Sequence, residues 1–63
     1  MWKTIEEQQP EHEQVILFFS KNEKYPEVGI WQVFDGDMAE VYIFANDDSE
    51  IPMNIVKWME IPK

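Results

Sequence analysis

Val15-Ile16-Leu17-Phe18-Phe19 is an unbroken apolar run, bounded by Gln14 before it and by Ser20-Lys21-Asn22 after it. It is too short for a helix, and β-branched and aromatic residues dominate it, so it reads as a strand over Gln14 to Phe19. Successive strand side chains point to opposite faces, which sends Val15, Leu17 and Phe19 one way and Ile16 and Phe18 the other. A strand apolar on both faces needs cover on both sides. Every other segment is a candidate for that cover, and so is a second subunit.

Working outward, Ser20 to Tyr25 is a polar turn, and Pro26 is tolerated only at the start or edge of a strand. A second strand is expected over about Val28 to Phe34, with Val28, Ile30, Gln32 and Phe34 on one face and Gly29, Trp31 and Val33 on the other. Gly29 inside it signals a bulge or a close packing approach. Asp35-Gly36-Asp37 is the sharpest local signal, because Asp-Gly between two apolar runs marks a hairpin turn. The third strand is Ala39 to Ala45, with Val41, Ile43 and Ala45 opposite Tyr42 and Phe44. Asn46 to Glu50 reads as a loop. Ile51 to Ile61 fits both a helix, with Pro52 in its first turn, and a strand; the strand is favoured, with Ile55 and Trp58 on opposite faces. Before the first strand, Trp2 to Ile5 alternates like a short edge strand. Thr4-x-x-Glu7 also fits a helix capping box, and Glu6 to Glu13 is an irregular acidic connection. The expected fold is all-β and mainly antiparallel: four or five strands in a strongly twisted sheet or partly open barrel.

A chain of 63 residues is one domain, and chains of this size bury only about 60% of their unfolded surface. Without Cys there is no disulfide and no thiolate metal ligand, which suits the cytosol. No apolar run reaches signal-peptide or membrane-spanning length, and a cytoplasmic protein is expected. Aromatic bulk must supply the core: three Trp, four Phe and two Tyr. The surplus of apolar side chains on two faces makes a homodimer one way of covering them. Thirteen acids against five cations, all lysines, give a formal net charge of -8. That opposes direct binding to nucleic acid or to anionic membranes and favours a protein partner with a basic surface.

No catalytic constellation stands out. Ser20 and Ser49 sit in no nucleophile motif, and no pair of acids is placed in a cleft by the sequence. Glu11-His12-Glu13 offers one imidazole, where a zinc site needs three or four converging ligands. Asp35-Gly36-Asp37-x-x-Glu40 and Asp47-Asp48-x-Glu50 lack the twelve-residue pattern of a calcium loop, and turn chemistry explains them. No metal or cofactor is implied. An aromatic platform for single-stranded nucleic acid would come with positive charge, which is missing. An enzyme is therefore the most distant reading.

Strand order alone makes one electrostatic expectation. In an up-and-down meander, the connection before the first strand and the Asp-Gly turn fall at the same end. That end gathers Glu6, Glu7, Glu11, Glu13, Asp35, Asp37 and Glu40 with no lysine among them, and His12 lies in their field. The other end holds Glu23, Glu27, Asp47, Asp48 and Glu50, offset by Lys21 and Lys24. The first end is the expected partner site, against the plainer reading that its acids only keep a small apolar protein in solution.

Trp2-Lys3-Thr4-Ile5, Pro10, Val15-Ile16-Leu17, Val28-Gly29-x-Trp31 and Ile55-Val56-Lys57-Trp58-Met59-Glu60-Ile61-Pro62 occur in this order along nearly the whole chain. They resemble a small bacteriophage and prophage family known as domain of unknown function 551. Trp58-Met59-x-Ile61-Pro62 is the most specific piece. Lys57 stands where that family usually has His, Glu60 where it has Pro, and Gln9-Pro10 where it has Leu-Pro. The resemblance implies a phage or prophage origin and a small antiparallel β fold, and it implies no activity. Two functions are expected to compete. One is an accessory protein that binds, and in one form inhibits, a host defence or nucleic-acid-binding protein. The other is a DNA mimic that presents carboxylates in place of phosphates.

Overall fold

The computed structural model describes residues 1–35 and 38–61. Among them five antiparallel strands form one open sheet: β1 (Gln14–Ser20), β2 (Glu27–Phe34), β3 (Met38–Ile43), β4 (Asp48–Glu50) and β5 (Ile55–Glu60). The order across the sheet is β4-β3-β2-β1-β5. The apolar run of β1 thus lies inside the sheet, between β2 and β5, as a strand apolar on both faces requires. A 3₁₀ turn at Pro52–Asn54 carries the chain from the β4 edge to the β5 edge. It is fastened to the end of β1 by the Lys21 N–H, which donates to the Asn54 carbonyl at 2.8 Å.

One face carries the core. Ile16 and Phe18 of β1, Trp31 of β2, Val41 and Ile43 of β3, and Ile55 and Trp58 of β5 are buried in a single cluster, with Ile5, Val33 and Ala39 against it. The cross-strand register explains the clustering. Ile16 faces Gly29, Phe18 faces Trp58, Trp31 faces Val41 and Gly29 faces Ile43, so side chains of one parity meet on one side. Gly29 marks a close approach: a Cβ there would lie 2.5 Å from both the Tyr42 carbonyl oxygen and Val41 Cγ1.

The irregularity of the sheet lies elsewhere, between β1 and β5. Phe19 pairs with Lys57 but Ser20 pairs with Ile55, leaving Val56 as an extra residue. This bulge corrects the simple alternation expected for the last segment. Three residues apart, Ile55 and Trp58 would face opposite ways in a regular strand; with Val56 bulged outward, both are buried.

Other expected elements shift for identifiable reasons. Residues 46–50 read as a loop, but Asp48–Glu50 is the edge strand β4, held by pairing with β3 despite its poor intrinsic preference. The third strand ends at Ile43 rather than Ala45, because the chain turns there to bring β4 back. The last strand begins only at Ile55, since Pro52–Asn54 is a 3₁₀ turn. The N-terminal edge strand reduces to one bridge, in which Lys3 and Trp58 exchange backbone hydrogen bonds at 2.8 Å each way. A single helical turn follows. Its capping box is reciprocal: the Glu7 N–H donates to Thr4 Oγ1 and the Thr4 N–H to Glu7 Oε1. In the Asp35-Gly36-Asp37 hairpin, Gly36 and Asp37 lie outside the described residues; the strands it joins pair up to Phe34 and Met38.

The opposite face of the sheet is also apolar. Val15, Leu17 and Phe19 pair across to Ile30, Val28, Met59 and Lys57, and Ile30 pairs on to Tyr42. Val15, Val28 and Phe44 are each 40–50% exposed there. Trp2 covers only one corner, with its ring 5.2 Å from that of Phe19.

Candidate partner-binding end

The expected acidic site is best described from its backbone. A turn links Glu11 to Gln14: the Gln14 N–H donates to the Glu11 carbonyl at 3.0 Å, and Gln14 Oε1 accepts the Glu11 N–H at 2.8 Å. Glu13, the third residue of this turn, has φ 66°. The left-handed region costs a residue with a Cβ about 1–2 kcal/mol. Asn22 adopts the same φ in the β1–β2 turn, where its residue type tolerates it; Glu13 has no such excuse.

Two bonds hold this turn against β2. The Glu13 N–H donates to the Trp31 carbonyl at 2.6 Å, and the Val33 N–H donates to His12 Nδ1 at 3.1 Å. Because Nδ1 accepts, the neutral imidazole carries its proton on Nε2, which lies 3.7 Å from Glu13 Oε1. Both side chains are mostly exposed, at 56% and 70%. The irregular connection therefore ends as an extension of the β1–β2 ladder.

Glu11, His12 and Glu13 are thus fixed beside residues 31–33, and Asp35 follows at the end of the same strand. Glu40 stands opposite Gln32 on β3. Asp37 lies outside the described residues. Glu6 and Glu7 do not join this group. The chain meets β5 at Lys3 and turns at once; Glu7 is used as the cap of that turn, and Glu6 lines a groove with Pro52, Met53 and Val56 towards the other end of β5. It then doubles back to Gln8, whose carbonyl accepts the Trp58 Nε1–H at 2.9 Å.

The end is also not free of lysine. Glu60, at the end of β5, has its Oε1 3.8 Å from Lys3 Nζ, and Lys3 lies 4.8 Å above the Trp58 ring. A pair whose carboxylate is exposed and whose lysine is half-buried adds little stability and offsets its own charge. Glu11 and Glu60, with Gln8, Gln14, Val15 and Ile61, line an open groove of about 570 Å³. A groove walled by two carboxylates, two amides and two aliphatic side chains suits the stem and charged head of a Lys or Arg.

Three acids of the other end are engaged locally. Asp47 Oδ1 accepts the Tyr42 hydroxyl, Asp48 Oδ1 accepts the Ser49 N–H, and Glu50 Oε1 accepts from Ile51 N–H and Asn54 Nδ2. The bond to Asp47 raises the Tyr42 phenol above its ordinary pKa. Among the described residues no group of three or more His, Cys, Asp or Glu converges as a metal ion would need. Nor, among them, is any helix long and apolar enough to cross a membrane. The strained φ of Glu13 carries no sequence signal, since Glu is not a residue that marks a left-handed turn. The chain matches no family model, and neither a curated protein nor a solved structure similar to it was found.

Proposed function

We propose that this is a small phage- or prophage-type accessory protein that acts without catalysis, by docking the acidic end of its sheet onto a basic surface of another protein. The observation that carries the reading is the Glu11–Gln14 turn. Its backbone is locked to β2 although Glu13 must adopt a costly conformation to be there. Backbone strain that persists under such restraint is a pointer to function. The result is a turn of fixed backbone that carries Glu11 and Glu13, with Asp35 following at the end of the strand it is tied to and a groove suited to a basic side chain. Pre-organised acids at one edge speed the encounter with a basic partner and orient it. Blocking a host defence or nucleic-acid-binding protein is the form of action that fits so small a chain.

Capture from bacterial lysate on immobilised protein, at low and at high salt, tests this. The reading expects proteins with basic surfaces, retained at low salt and released as charge is screened. Enrichment of nucleic-acid-binding proteins whose release is especially steep favours the DNA-mimic form. Captured proteins that are insensitive to salt would contradict both forms.

A further inference from the structure

The outer face of the sheet offers a second surface, which meets the acidic end at Glu40 and Val15 but does not include Glu11, Glu13 or Asp35. Val15, Leu17, Val28 and Ile30 occupy its centre, Tyr42 and Phe44 lie to one side, and Phe19, Met59 and Trp2 to the other. Of the described strand residues that point this way, Glu40 and Lys57 are the charged ones. Neither has a salt-bridge partner among the described residues; Lys57 Nζ instead lies 5.1 Å from the Trp2 ring centre and 5.0 Å from that of Phe19.

Their positions are diagonal. Glu40 is on β3 level with the start of β1, because it pairs with Gln32 and Trp31 pairs with Gln14; Lys57 is on β5 opposite Phe19. At standard strand spacing and rise, they are about 14 Å apart across the strands and about 20 Å along them. Their midpoint falls between β1 and β2, amid Val15, Leu17, Val28 and Ile30. A two-fold axis lying in the face through that midpoint, perpendicular to the Glu40–Lys57 line, exchanges the two charges. It also sets the strands of the two copies at roughly 70° to one another, close to the orthogonal class of sheet packing. Glu40 and Lys57, the one acid and the one base among the described strand residues of this face, are therefore placed for self-complementarity.

We propose that two copies of this chain pack outer face against outer face about this axis, each Glu40 against the partner's Lys57. An interface of standard size takes about 800 Å² from each partner. That is roughly one-sixth of the 4734 Å² surface, in keeping with one face of a molecule 31 × 25 × 25 Å. Leu17 and Val28, at the centre, supply the dry middle, and the contact is isologous as a closed dimer requires. The acids of Glu11, Glu13 and Asp35 stay at the strand ends, outside the contact, so the dimer carries two acidic ends. Their like charge makes self-association stronger as salt screens it.

Sedimentation equilibrium on the whole chain, from about 1 μM to about 1 mM, reads the assembly directly. The expected result is a monomer–dimer equilibrium that tightens with added salt. Glu40→Lys and Lys57→Glu each bring like charges together twice and should weaken the dimer at least about tenfold. Combining them restores opposite pairs and should return the dissociation constant to within about threefold of the parent, since the coupling is pairwise. Far-UV circular dichroism confirms that each variant is folded. A monomer at every concentration overturns the dimer and leaves the acidic docking end untouched. A dimer indifferent to the single reversals, or not rescued by the double one, overturns this packing.

Discussion

Glu13 donates its backbone N–H to the Trp31 carbonyl at 2.6 Å, and it does so with φ at 66°. The bond fixes the acidic turn to the core strand that carries Trp31, and the conformation is one that a Cβ disfavours. Glu13→Gly keeps the bond and removes the strain, at the expense of greater freedom in the unfolded chain. The net expected effect is a gain of roughly 0.5–1 kcal/mol. For a domain of this size that is a rise of a few degrees in the melting midpoint, read by thermal denaturation. A loss of stability would mean that the Glu13 side chain contributes to the fold, not to docking.

Gly29 is a different kind of position, chosen by space. A Cβ there meets the Tyr42 carbonyl and Val41 Cγ1 at 2.5 Å and Phe18 Cε1 at 3.1 Å. The carbonyl belongs to β3 and cannot yield without disturbing the ladder. Gly29→Ala should therefore cost about 3 kcal/mol, the upper end for overpacking, measured by urea denaturation. A cost below about 1 kcal/mol would show that β2 and β3 can separate freely.

Trp31 and Trp58 are equally buried, at 1% exposure, yet differ in one bond. Trp58 Nε1–H reaches the Gln8 carbonyl, whereas Trp31 Nε1 has no acceptor among the described residues. An unpaired buried donor costs about 1–3 kcal/mol, and replacement by Phe removes that cost. Trp58→Phe should accordingly destabilise the protein more than Trp31→Phe, by at least about 1 kcal/mol in chemical denaturation. Equal losses would indicate that the Trp31 indole has a hydrogen-bond partner after all.

The two tryptophans also show how far the fold was legible. Parity within Val15–Phe19 and Val28–Phe34 placed Phe18, Ile16 and Trp31 on common faces, and the register bears out that assignment. Trp58 and Ile55 could not be read the same way, because the extra residue Val56 shifts the β1–β5 register between Phe19 and Ser20 and breaks the alternation. Asp48–Glu50 is a strand only by virtue of its neighbour, so local propensity hid it. At the acidic end, topology put Glu11, Glu13 and Asp35 in one region. The Thr4-x-x-Glu7 spacing marks Glu7 for the cap it makes, but topology could not foresee that Glu6 would line a groove with Met53 or that Lys3 would reach Glu60.

Tyr42 supplies a pH signature. Its hydroxyl donates to Asp47, and this bond, with partial desolvation and the carboxylate charge, raises the phenol above the ordinary value of about 10. The protonated form is the one favoured by folding. The contribution is therefore fully present below about pH 10 and is lost as pH climbs through the raised folded-state value. Spectrophotometric titration of tyrosinate should show a late component that disappears in Tyr42→Phe. Asp47→Ala should move that component back toward lower pH; an unchanged titration would remove Asp47 as the cause.

The central claim is that one acidic end, and not acidity in general, recognises a partner. Two triple variants with the same loss of charge separate these ideas: Glu11→Gln/Glu13→Gln/Asp35→Asn at the docking end, and Asp47→Asn/Asp48→Asn/Glu50→Gln at the other. Each is immobilised beside the parent protein, and capture from bacterial lysate at low salt is quantified. The account predicts that the first set loses the captured proteins by about tenfold or more, while the second retains them nearly in full. Equal losses from both sets, or no loss from the first, would contradict it.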